Sequence, residues 1–231
     1  MELLTVIVII SILLVLLAPA FTNLKSANDV TSAANSIKAV LENARTYAKA
    51  NNTYVFVGFV EVNASVDPSV SPQGAGYGRV AVAAVASKDG TRDWTATNLT
   101  PIGKLQVYEN LHFVPVNFPS WTQAAHPNSN MARSQPSNST YNLGTSSSVT
   151  PFNWPLGGGQ YSFTKVINFD PGGTARIATA TNSDEVTNVM EIDFQQSHGT
   201  VTPTPPTSQD AGNHFVIQID APTGAVRLYR P

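Results

Sequence analysis

Glu2 is the residue whose placement most demands chemistry. It stands directly before Leu3–Phe21, nineteen residues without a charge. A carboxylate there costs a few kcal/mol at membrane depth unless a cation pairs with it. The chemistry on offer is ion pairing. The other titratable groups are scattered: His112, His126, His198 and His214 lack ligand spacing and read as strand or loop residues. Asp184-Glu185 and Glu191 with Asp193 could hold calcium, which takes several oxygens, but read as solvated loop charge. No G-x-S-x-G, H-E-x-x-H, Walker A or dinucleotide fingerprint occurs, and Gly157-Gly158-Gly159 lacks the Lys-Ser/Thr that a phosphate cradle needs. The expectation is a protein that is not an enzyme, with no catalytic residues, no metal and no cofactor.

Composition narrows the rest. The chain has 231 residues, 12% of them charged, with 13 Lys+Arg against 15 Asp+Glu and no cysteine. The charged share is about half the ~25% of an ordinary soluble domain, so the surface is built from Asn, Ser, Thr and Gly. Without basic clusters there is no electrostatic basis for nucleic-acid binding. Zero cysteine excludes disulfides, thiolate metal sites and thiol chemistry.

Three processes could use the apolar head. As a helix, Leu3–Phe21 would span about 28 Å, close to one bilayer core. It could be a secretory signal peptide, since Ala18-Pro19-Ala20 looks like a cleavage site, although the only flanking charge is acidic. It could equally be a plain membrane anchor. The third reading is an assembly helix, prompted by the carboxylate at its start and a proline deep inside it. Beyond Pro19 the helical pattern resumes: Val30, Ala33, Ala34, Ile37, Val40, Leu41, Ala44, Tyr47 and Ala48 recur at amphipathic spacing. Lys38 with Glu42, and Glu42 with Arg45, stand in ion-pair reach, and Asn51-Asn52 stops the run. The whole reads as one helix of about fifty residues, kinked or locally melted at Pro19.

This head resembles the type IV pilins and pseudopilins, whose mature chains start FTLxELL and carry a proline near residue twenty-two. Met1-Glu2-Leu3-Leu4 matches the xELL portion and Pro19 the proline, both with an offset of three residues. The resemblance implies a mature chain without its first three residues. Farther on, LENARTYAKANNTYVFVGF (41–59), VINFDPGGTARI (166–177) and HFVIQIDAPTGAVRLYRP (214–231) are similar to H-type minor pseudopilins and T-type fimbrial proteins. A verrucomicrobial cassette family of pilin-like proteins shares the head and the NNTYVFVGF stretch and is the nearest likeness. The family implies that Glu2 pairs with the N-terminal amine of a neighbouring subunit and sets register. It also implies that Leu3, Leu4, Ile7, Ile10, Leu14, Leu17 and Pro19 act in assembly. The implied partners are copies of the chain in a helical filament, prepilin peptidase and inner-membrane assembly machinery, with the membrane as host before assembly.

The remainder reads as strands: 53–62, 79–86, 104–116, 161–169, 174–181, 188–194, 214–220 and 225–229. Phe215, Ile217 and Ile219 alternate with Val216, Gln218 and Asp220, which predicts one buried face. The expected fold is α+β and pilin-like, a long N-terminal helix packed on an antiparallel sheet or a pair of sheets. Its hydrophobic first half (1–21) is a membrane or filament-core segment. The amphipathic half (22–50) leads into a β-rich head (51–231) with long loops at 117–160 and 199–212, both of Asn/Ser/Thr/Pro/Gly character.

Two functions follow. The first is a structural subunit of an extracellular filament, held in the bacterial inner membrane and then moved to the cell surface. The second is a membrane-tethered or secreted monomeric β-domain that binds polysaccharide or a secretion substrate through Trp121 and Trp154.

Overall fold

The computed structural model describes residues 2–93, 95–113, 152–177, 189–201 and 213–230, with the side chains at 2–5, 15–28 and 189 outside that description. The chain begins as α1 (Glu2–Asn51), which stays helical through Pro19 instead of melting there. Asn52 then turns left-handed at φ 50, a conformation Asn tolerates better than most residues. The Thr53 amide reaches back to the Ala48 carbonyl at 3.1 Å, which closes the helix end.

Strands carry the architecture. The largest sheet is antiparallel, built from β1 (Val55–Asn63), β2 (Gly78–Ser87), β3 (Leu99–Pro101), β4 (Gln106–Glu109), β8 (Lys165–Phe169) and β9 (Ala175–Ile177). Its order is β3-β2-β1-β8-β9, with β4 also on β2. A second sheet joins β5 (Leu111–Phe113), β10 (Val189–Gln196), β11 (His214–Asp220) and β12 (Ala225–Tyr229) in the order β12-β11-β10-β5. A hairpin pairs β6 (Phe152–Trp154) with β7 (Tyr161–Phe163).

The expectation of an α+β, pilin-like domain with a long N-terminal helix packed on an antiparallel sheet or a pair of sheets is overturned. The protein is mostly β, made of sheets and not of helix on sheet. The physical reason lies in β2, whose ten residues GRVAVAAVAS are all buried. A strand buried on both sides needs a layer on each face, and one helix covers only one. One face of the large sheet (Val57, Phe59, Val82, Ile167) meets the second sheet (Ile192, Phe194, Phe215, Ile217) and residues 30–48 of α1. The opposite face (Phe56, Ala83, Val85, Val166) meets the hairpin residues Phe152, Tyr161 and Phe163. Gly58 permits that second contact, since a Cβ there would come within 2.6 Å of Phe152 Cζ and Phe163 Cβ.

Other expectations shift for identifiable reasons. The single strand expected over 104–116 is two, because Asn110 at φ 57 turns the chain from β4 in the large sheet to β5 in the second. Strand β11 is buried at six consecutive positions, so its alternation does not mark a solvent face. Strand β6 lies inside the expected 117–160 loop; 114–151 and 202–212 lie outside the described residues. Glu191 and Asp193 sit on β10, with Asp193 1% exposed, so they are not solvated loop charge. Asp184-Glu185 lies outside the described residues. Glu42 pairs with Lys38 at 3.6 Å and, among the described residues, not with Arg45.

Candidate functional site

The apolar segment of α1 differs from every other described hydrophobic stretch in its exposure. Val6, Ile7, Val8, Ile9, Ile10, Ile12, Leu13 and Leu14 are each 50–62% exposed. At 100° per residue these positions cover the whole circumference of the helix, so no single packing face exists. Ser11 donates its hydroxyl hydrogen to the Ile7 carbonyl at 2.8 Å, which satisfies that donor within the helix. Of the assembly residues expected from sequence, Ile7, Ile10 and Leu14 therefore stand on this surface. Glu2, Leu3, Leu4, Leu17 and Pro19 are positions of the same helix whose side chains lie outside the described residues. Among the described residues, no helix is long and apolar enough to cross a membrane.

The two tryptophans are not brought together as a described site. Trp154 ends β6 and packs, half-buried, against the Phe56–Phe163 core. Trp121 lies outside the described residues.

A second feature has no counterpart in the sequence reading. At the end of β1 a cleft of about 430 Å³ opens between β1, β5, the start of β8 and the 73–77 loop. On its wall, His112 Nδ1 meets both oxygens of Glu61 at 2.9 and 3.0 Å. Glu61 also accepts the Gly78 amide at 2.9 Å and the Phe113 amide at 3.3 Å. A carboxylate held by two backbone donors is an acceptor, so in the neutral imidazole Nδ1 carries the hydrogen and Nε2 the lone pair. No hydrogen bond to Nε2 is present among the described residues. Tyr77 crosses the imidazole edge-on, ring centroids 5.3 Å apart. Lys165, Ser162 and Thr164 also line the cleft, and burial lowers the Lys165 ammonium pKa from its usual value.

Local sequence dictates this geometry. Gly78 sits at φ +96 with the Gly199 carbonyl where a Cβ would be, so only glycine lets its amide reach Glu61. Arg79, 4% exposed, fixes the adjoining loop by donating to the Val66 and Ala64 carbonyls and to Glu109 at 2.6 Å. Glu61 and His112 are 51 residues apart on strands of different sheets, so spacing carried no signal. The other described histidines, His198 and His214, lie away from this wall, and His126 lies outside the described residues.

Compared with known proteins, the chain matches no family model, no curated protein and no solved structure.

Proposed function

We propose that the chain is a structural subunit that polymerises through the start of α1 into an extracellular filament. One observation carries the reading: an apolar surface, broken at Ser11, exposed around the full circumference of the helix from Val6 to Leu14. Fully burying a Val, Leu or Ile side chain is worth about 1.5–3 kcal/mol, and each of these is only about half covered. A partner docking on one side would leave the others in water. An array of identical helices surrounds each member and satisfies all sides, which is why the occupant is a set of copies and not a single ligand. The resemblance of Glu2-Leu3-Leu4 and Pro19 to type IV pilins and pseudopilins supplies the same reading from sequence. On it, Glu2 pairs with a neighbour's N-terminal amine, the inner membrane hosts the chain before assembly, and prepilin peptidase and the assembly machinery act on it.

The test is electron microscopy of material sheared from cells that express the native chain, Glu2→Ala, or an Ile7→Asp/Ile10→Asp/Leu14→Asp variant. Native chain is expected in thin regular filaments, with a much reduced yield for Glu2→Ala and none for the triple variant at unchanged thermal stability. Native filament yield from the triple variant would sink the proposal.

A further inference from the structure

We infer that the cleft beside Glu61 and His112 binds a neutral pyranose sugar. Its volume of about 430 Å³ falls in the range of small-molecule sites, roughly 300–1,000 Å³. The charged groups of its wall are already engaged. Glu61 takes the Gly78 and Phe113 amides and lies against His112 Nδ1, a contact open to both the neutral and the charged imidazole. Lys165 has a partner of its own. An anion in the cleft would meet the Glu61 carboxylate and a cation the Lys165 ammonium, and neither would find an unengaged counter-charge on this wall to offset its loss of water. A neutral ligand faces no such cost.

The uncharged groups define the ligand. Tyr77 stands between two glycines that the fold requires. A Cβ at Gly76 would come 2.5 Å from Asn63 Cβ, and Gly78 at φ +96 has the Gly199 carbonyl where a Cβ would be. The ring between them is held edge-on to His112 and is still 48% exposed. A fixed aromatic ring half in water is apolar area that folding has left over, and it suits the C–H face of a pyranose. Around it the polar groups are hydroxyls and an amide. Ser162 and Thr164 line the cleft, and each hydroxyl can both donate and accept. Gln73 is oriented by its Nε2, which donates to the Asp67 and Val70 carbonyls at 2.9 and 2.8 Å. Its Oε1 is left to accept, engaged only by a long 3.4 Å contact from Arg79. A sugar ring matches this set with hydroxyls for Gln73, Ser162 and Thr164, an apolar face for Tyr77, and no net charge. The inference does not rest on filament formation.

The experiment is isothermal titration of the purified full chain, in a polyoxyethylene detergent that carries no sugar, with the methyl glycosides of glucose, galactose and mannose. Glucuronate and glucosamine serve as charged counterparts. At least one methyl glycoside is expected to saturate, with an affinity unchanged between about 0.05 and 1 M salt, a range over which an ion-paired ligand weakens. Glucuronate and glucosamine are each expected to bind roughly tenfold more weakly than that glycoside. Tyr77→Ala is expected to lose roughly tenfold, and Tyr77→Phe, which keeps the ring, to stay within about twofold of native chain. A Ser162→Ala/Thr164→Val variant is a second probe, expected to lose roughly tenfold while melting as native chain does. The inference is overturned by no saturation with any of the three glycosides, by glucuronate or glucosamine binding as tightly as the neutral sugar, or by native affinity in both the Tyr77→Ala and the double variant. Filament assembly is scored separately, so failure here and failure of the assembly reading are distinguishable.

Discussion

The two parts of α1 share one backbone and have opposite surroundings. From Val30 to Ala48 the buried positions are Val30, Ala33, Ala34, Ile37, Leu41, Ala44 and Ala48, all 0–3% exposed, while Lys38 and Glu42 face water. From Val6 to Leu14 every large side chain is at least half exposed. The later part carries an apolar stripe one third of the circumference wide and finds its partner inside the chain. The earlier part is apolar all round, and nothing described inside the chain could cover it. The lesson is that width of the apolar arc, not hydrophobicity alone, separates a helix folded onto its own domain from one that awaits neighbours.

The sharpest break of the comparison is a matched pair of truncations. Leu41→Ala should cost about 2–5 kcal/mol in chemical denaturation, because Leu41 is fully buried in the core that α1 shares with both sheets. Ile10→Ala should leave that transition in place and weaken only association. Equal destabilisation by both would mean the two parts of α1 are not energetically distinct. Next in size is Gly224→Ala. Gly224 sits at φ +66 in the turn before β12, where a Cβ would come 2.1 Å from the Gly173 carbonyl and 3.1 Å from Arg45 Cδ on α1. Overpacking of this kind costs about 1–3 kcal/mol, and it should raise amide exchange in residues 41–48 while leaving 6–14 unaffected.

Legibility in the sequence follows the same arc-width logic. The 3.6-residue recurrence from Val30 to Ala48 reads correctly because its partner face is intramolecular and one-sided. β11 misleads because Val216 and Gln218 are buried along with Phe215 and Ile217, so alternation in residue type does not reflect alternation in burial. The helix-on-sheet class fails on the same point at β2, where small residues allow close approach on both faces. Strand β6 hides within an Asn/Ser/Pro-rich stretch as three residues whose stability comes from Phe152 stacking on Phe163 at 4.9 Å. The Glu61–His112 wall could not be read at all. It is produced by the turn at Asn110, which brings β5 across to the other sheet.

Two smaller effects sharpen the boundary. Tyr108 packs at the edge of the core near Ser36 of α1, and burial pushes its phenol up to about 12, partly offset by Ser36. A folded-state value raised above the ordinary ~10 means the unfolded chain loses its proton first. The associated stability is whole below about pH 10 and falls as pH rises toward 12. Tyr108→Phe should therefore show a flatter stability profile over that window; an unchanged profile would place the alkaline loss elsewhere. The smallest expected effect is at Arg230, which donates to Thr31 Oγ1 at 2.7 Å just where α1 begins to pack. Arg230→Ala should cost about 0.5–1.5 kcal/mol and show as faster amide exchange at 29–33, not at 37–48.

Gly58 has a reach beyond its own packing. By admitting Phe152 and Phe163 flush against β1, it fixes how close the hairpin lies to the large sheet. Ser162 and Thr164 flank Phe163 and line the same cleft as Glu61 and His112. The aperture of that cleft is thus set by a missing side chain that never touches it. A methyl group added at residue 58 would work as a shim, pushing residues 162–164 away from β1 while every residue of the opening keeps its identity.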